Sequence, residues 1–337
     1  MIVNIAEVWA GVAPSHIGFI NARIDEFMSL HLPMRPKDKD VEARAFNFIF
    51  RNRRRIASRT CTEFSRLITV FERRFPEKSA EREWAVELFK AVFDYGKFSD
   101  KYSKDWNAYN LCAGTRWKVC PYCHVHGTET AIPDDNMAGG YRPQIDHYYP
   151  QSKYPFLGLT LGNLIPCCAQ CNGPGFKHTK NFYEKPHLNP LSDVENIGFR
   201  IESADPAKSG DAIVKSFRAP LSAYRIGLCL LAPCTKTQAS LVTFQLEDRY
   251  QQFTDDAYRI SFDVVQKKEL QANLANAMYA ADQLPDATSR DLMRAHLFDF
   301  SLPLHTAIPF DPDSDREYKN HIAGKMKRDI FLRARDG

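Results

Sequence analysis

No apolar run in this 337-residue sequence approaches the ~20 residues that cross a bilayer. The opening MIVNIAEVWAGVAPSH also lacks the basic region and long apolar core of a secretion signal. A membrane partner is therefore not expected, and the expected location is the cytoplasm. Repeats and low-complexity tracts are missing too, which sets aside solenoids and wholly disordered chains. There is no G-x-x-x-x-G-K-[S/T] loop, so a nucleotide-driven step would need another protein. Charge of one sign is also lacking: 45 basic against 41 acidic residues leave +4, too mild alone to imply a nucleic-acid partner.

What is present is an ordinary globular composition, 44% hydrophobic and 26% charged. At roughly 150 residues per domain, the length suggests two or three domains. Residues 1–110 read as helical. EARAFNFIFRNRRRIASRTCTEFSRLITVFERRF and AEREWAVELFKAVFDYGKF place apolar residues three and four apart, with a break at Pro76. Residues 111–195 are dense in glycine, proline, cysteine and histidine. There NMAGG (136–140) reads as a turn, and YRPQIDHYY and LTLGNLIP as short extended pieces. Beyond 196, GFRIES and AIVKSFRAP read as two strands around ADPAKSGD. SAYRIGLCLL, Ala239–Leu284 and the tail from Arg316 read as helical. The expected fold class is α+β, mostly α: a helical region 1–110, a compact module 111–195 and a mostly helical region 196–337.

Nine cysteines are an odd number, and four of them form two Cys-x-x-Cys pairs, Cys120/Cys123 and Cys168/Cys171, separated by 44 residues. Two such knuckles supply the four thiolates that structural zinc prefers, with no coordination position left open. Chance pairing of small buried residues is the bland alternative, and two matched knuckles make it a poor one. Cys167 lacks the spacing to Cys171. Cys61, Cys112, Cys229 and Cys234 sit in helical or apolar contexts as ordinary buried thiols.

The insert between the knuckles carries Asp146-His147 and Asn163, and Asn172 follows the second knuckle. Phosphodiester hydrolysis needs a base for water and a hard cation for the phosphate. Imidazole suits the first task, while carboxylate and amide oxygens suit Mg²⁺. Neighbours within a regular strand point to opposite faces, so Asp146 and His147 are expected at a strand end or distortion.

In this order and spacing, C-P-Y-C, I-D-H-Y-Y-P, G-N-L-I-P and C-x-x-C-N resemble the HNH endonuclease family in its zinc-bound ββα-metal (His-Me finger) form, over roughly residues 117–182. The resemblance implies His147 as general base. It implies Asp146 and Asn172 as ligands of a catalytic Mg²⁺ or Mn²⁺, Asn163 as the residue that holds the loop and orients the base, and the four cysteines as a structural Zn²⁺ cage. DHYYPQSKYPFLGLTLGNLIPCCAQCN further resembles HNH subunits of bacterial anti-phage systems of the Septu and retron-associated kinds, and HLNPLSD, TFQLEDRY and GKMKRDI resemble segments downstream of that core. One departure from the family is Gly173-Pro174-Gly175, which interrupts the place where a helix should continue.

The implied function is metal-dependent endonucleolytic cleavage, of DNA first and RNA as the alternative, under control of a partner such as an ATPase. The competing reading is a non-catalytic zinc module that binds nucleic acid or a partner. Lys177 and Lys180 are candidate phosphate contacts, and His178 is a weaker candidate metal ligand. His124 and His126 are expected beside the cage or in solvent. Arg51 to Arg74 holds eight arginines against Glu63 and Glu72 on what reads as one helix, with Arg53, Arg54 and Arg55 the candidate nucleic-acid contacts. The nearby Phe46, Phe48, Phe50, Phe64 and Phe71 read as core.

Overall fold

The computed structural model describes residues 3–31, 40–132, 139–205, 219–283, 286–291 and 308–336. They are rich in helix, with two small two-stranded antiparallel sheets. They pack as two compact units, one of Met1–Asn196 with Ala232–Gln245 and one of Ile197–Leu231 with Leu246–Gly337. No helix among the described residues is long and apolar enough to cross a membrane.

In the first unit, α1 (Ala13–His31), α2 (Val41–Ile56), α3 (Phe64–Arg74) and α4 (Ala80–Val92) form a helical layer. Helix α2 starts where the Asp40 side chain accepts from the Glu42 amide, and α4 where Ser79 accepts from Arg82. The buried stripe of α2 is Ala45, Phe48, Ile49, Asn52 and Ile56, and that of α3 is Phe64, Leu67, Ile68 and Phe71, both at helical spacing. Phe48, Phe71, Phe75 and Phe89 form one aromatic cluster. Phe156, from the central module, inserts into it with ring centroids 5.0 Å from Phe48 and 4.7 Å from Phe71. Each fully buried phenylalanine contributes about 1.5–3 kcal/mol, so the helices and the module share a core.

The arginine-rich segment is not one helix. It breaks after Ile56 and resumes at Phe64, and the intervening loop lies against Gly162, whose amide donates to the Ser58 carbonyl at 3.3 Å. A Cβ on Gly162 would come within 2.7 Å of the Thr60 backbone, so the close approach requires glycine there.

Two short helices follow, α5 (Tyr95–Ser99) and α6 (Ala108–Ala113), the latter opened by a capping box between Asn107 and Asn110. The module itself is β1 (Gln144–His147) antiparallel to β2 (Leu164–Cys167), with Asp146 opposite Ile165 and His147 opposite Leu164, then the single turn α7 (Ala169–Asn172). His147 is the last residue of β1, the strand end that the paired Asp-His requires. Helix α7 stops at Gly173, whose amide bonds back to Gln170, and no helix restarts near Phe176. The glycines and proline thus cut the α element to one turn.

In the second unit, β3 (Ile197–Ser203) pairs antiparallel with β4 (Tyr224–Leu230). SAYRIGLCLL is therefore mostly strand rather than helix, while most of AIVKSFRAP lies outside the described residues. Helices over Thr254–Asp282 and Gly324–Asp336 complete the unit. From the second of these, Asp329 accepts from the Phe199 amide at 3.2 Å.

Candidate active site

Cys120, Cys123, Cys168 and Cys171 are all buried, and their sulfurs lie within 4.8 Å of one another. Tetrahedral bonds of ~2.3 Å place sulfurs about 3.8 Å apart; the Cys123–Cys168 separation is 3.9 Å. Burial pushes the Cys120 thiol well above its usual range. Four such sulfurs cannot ionise together without a cation between them, and a dication reverses that balance. The donor set fits zinc. Cys167 is buried beside the cage but is not part of it. His124 is buried with φ 57°, and His126 is exposed and bonded to Gln170 at 2.8 Å, which ties the first knuckle to the second.

The cage reaches the paired Asp-His through its own tyrosine. Tyr122, inside C-P-Y-C, stacks on Phe244 and donates its hydroxyl to Asp146 Oδ2 at 2.5 Å. Burial and the Asp146 charge raise the Tyr122 hydroxyl well above its usual range, so it remains a donor. The other carboxylate oxygen, Oδ1, lies 3.5 Å from Lys177 Nζ.

His147 is half-buried. Its Nε2 lies 2.8 Å from the Gly158 carbonyl, and its ring meets the Tyr95 ring at 4.6 Å, edge to face. A carbonyl only accepts, so Nε2 carries the proton and Nδ1 keeps a free lone pair. Burial holds the imidazole below 6.5, with Lys177 acting the same way and the Gly158 bond and Asp146 charge opposing. His147 is neutral at pH 7, with one nitrogen anchored and the other basic.

Asn163 is fully buried and bonds three backbone groups. Its Oδ1 accepts from the Tyr149 amide at 2.7 Å, and Nδ2 donates to the carbonyls of Tyr149 at 3.0 Å and Leu157 at 3.2 Å. It clamps both ends of the long β1–β2 connection, one residue away from the Gly158 carbonyl that anchors His147. Asn172 donates Nδ2 to Gln144 Oε1 at 2.7 Å, which leaves its own Oδ1 directed elsewhere. The bond fastens Asn172 to Gln144, two positions before Asp146 on β1. Carboxylate and amide oxygens are donor types that Mg²⁺ and Mn²⁺ accept.

The chain matches no protein-family model, no curated protein and no solved structure. The site's chemistry therefore rests on its own geometry.

The outer candidates divide. Lys177 is 1% exposed and held by Asp146 and by the His147 carbonyl at 3.1 Å, so it does not face a phosphate from this position. Lys180 is exposed, but its ammonium is turned onto the Gly175 and Phe176 carbonyls. His178 is exposed. Arg53 is committed to Asn21 and Asp25, holding the Asp25 carboxyl below its usual range, and Arg55 bonds Glu63 at 2.7 Å. Arg54 is exposed.

Sequence reasoning gave no role to Tyr122, Tyr95, Gly158 or His16. Tyr122 had a signal, its place inside the first knuckle. Tyr95 and His16 had none, because each lies in a helical stretch distant in sequence. His16 is fully buried, accepts from the Trp106 indole at 3.0 Å and donates from Nε2 to the Leu159 carbonyl at 2.7 Å. It thereby fixes the peptide next to the one that anchors His147.

Proposed function

We propose that this protein is a metal-dependent HNH-type endonuclease. The observation that carries the reading is His147: neutral, anchored through Nε2 on Gly158, with Nδ1 free as a base, at the end of a two-stranded element joined to a four-cysteine cage. His147 takes the proton of the attacking water at Nδ1. Gly158 and Asn163 keep the ring from turning, and Tyr95 limits the space beside it. Asp146 and Asn172 would hold a Mg²⁺ or Mn²⁺ ion, which when bound supplies charge stabilisation to the phosphate and the leaving oxygen. DNA is the first substrate to test and RNA the second, since contacts to the phosphodiester backbone carry no sequence information. A role in anti-phage defence under a regulatory subunit, such as an ATPase, and a cytoplasmic setting belong to the same proposal.

The test is conversion of supercoiled plasmid by zinc-loaded protein with Mg²⁺ or Mn²⁺, wild type against His147→Ala. Cleavage by wild type alone is expected. Equal cleavage by both would overturn the assignment of the base. No cleavage by either, of DNA or RNA, with genomic-neighbour proteins added, would favour the non-catalytic zinc module.

A further inference from the structure

Lys177 is a buried ammonium seated on the carboxylate that the nuclease reading assigns to a divalent cation. Its Nζ lies 3.5 Å from Asp146 Oδ1 and 3.1 Å from the His147 carbonyl oxygen, and the side chain is 1% exposed. With Tyr122 on Oδ2, both carboxylate oxygens are engaged. Such a seat is costly to build for a lysine: an ammonium leaves water only where another charge and further hydrogen bonds replace it. The local chain is shaped for it. Gly175 and His178 have φ of +89° and +40°, and the Lys177 amide bonds the Cys171 carbonyl at 3.0 Å, which fastens the lysine backbone to the second knuckle.

We propose that Lys177 is an internal cation that occupies Asp146 until a divalent ion displaces it, so that the site resists loading by free Mg²⁺ or Mn²⁺. The inference rests on the nuclease reading and adds a control to it. In the same position Nζ lies 4.7 Å from the centroid of the Phe182 ring and 3.1 Å from the His147 carbonyl, so the ammonium has two partners besides the carboxylate. An ammonium released from Asp146 would keep those two partners, which lowers the cost of giving up the carboxylate. A site whose competent state is one part in ten binds its ligand with about tenfold weaker apparent affinity, and losing the lysine removes that factor.

The experiment is Mn²⁺ binding to zinc-loaded protein, read by electron paramagnetic resonance, for wild type, Lys177→Met and Asp146→Asn. In parallel, acetylation of Lys177 in the wild type is followed by peptide mass spectrometry with and without Mn²⁺. The expected result is about tenfold or greater tightening in Lys177→Met, loss of the site in Asp146→Asn, and faster acetylation of Lys177 as Mn²⁺ saturates. Equal Mn²⁺ affinity in wild type and Lys177→Met, with Lys177 acetylation unchanged, overturns the gate and leaves the metal site standing. Absence of Mn²⁺ binding in every variant overturns both the gate and the metal-dependent nuclease. If Lys177→Met fails to fold, shown by zinc below one per chain, the wild-type acetylation decides: a rise at saturating Mn²⁺ supports displacement, and no rise refutes it.

Discussion

Asn163→Ala is the sharpest test of how the loop is held, because it removes one side chain and three hydrogen bonds to the backbone. The amide and the carbonyl of Tyr149 lose these bonds, while the Leu157 carbonyl loses one of two and keeps the Thr160 amide at 3.2 Å. The residue is fully buried, so water does not replace the lost bonds without disturbing the packing. At about 0.5–1.5 kcal/mol for each bond, with a desolvation penalty for any group left unpaired, the cost is about 2–5 kcal/mol. For a unit of this size, that lowers the melting temperature by roughly 5–15 °C. Asn163→Asp is expected to be no milder, since a carboxylate accepts but does not donate to the two carbonyls. Urea unfolding of the zinc-loaded chain, followed by circular dichroism, measures the change. Cleavage should fall with it, because Leu157 precedes the Gly158 carbonyl on which His147 is anchored. A stability within about 0.5 kcal/mol of wild type, the scale of an ordinary surface change, would refute the clamp.

Removing zinc with a strong chelator should unfold the first unit, since structural zinc supplies about 10–16 kcal/mol in small peptides. Elemental analysis should find one zinc per chain, and folded protein with a count near zero would refute the cage. Acid should act through His16, whose imidazole burial lowers to about 4 despite its bond to Leu159. The unfolded chain takes up that proton near 6.5 and the folded chain only near 4. Stability is therefore intact above about 6.5 and lost as pH falls towards about 4, by about 3 kcal/mol for this one group. His16→Gln should flatten that window in urea titrations at a series of pH values. An unchanged slope would show that His16 is not the group responsible.

The four-cysteine cluster and the place of Asp146-His147 at a strand end were legible because each rests on local spacing, two Cys-x-x-Cys pairs and two adjacent residues, which a sequence displays directly. The strand Tyr224–Leu230 was misread although its signal was present: Tyr224, Ile226, Leu228 and Leu230 alternate, a period of two that the density of apolar residues obscured. The break in the arginine segment also left a trace, the polar run SRTCTE, but its cause is tertiary, the close approach of Gly162 to Thr60. Lys177 was misassigned for a different reason. A lysine in a polar stretch is ordinarily solvated, and only the fold brings Asp146, 31 positions earlier, beneath it. The partners of Arg53 and Arg55 were hidden in the same way, on α1 and in the α2–α3 loop.

The role of the N-terminal helices follows from the size of what they surround. Four-residue strands in a two-stranded sheet do not hold a side chain still in water by themselves. Here the sheet and its connection are pinned from outside at several points: Trp9 Nε1 donates to the Leu164 carbonyl at 2.9 Å, His16 to Leu159, and the Thr160 hydroxyl to the Ile56 carbonyl at 2.8 Å, while Phe156 fills the aromatic cluster. Each anchor lies within the connection or at the start of β2, and none lies on the cage. The cage fixes β1 and α7 from one side and the helices fix the loop from the other. His147 stands where the two restraints meet, with its ring between Tyr95 of α5 and the Gly158 carbonyl of the pinned loop. An imidazole whose pKa depends on burial and whose tautomer depends on one carbonyl needs that carbonyl held in place. The helices that read in sequence as a flanking region are thus part of the machinery that keeps His147 neutral and aimed.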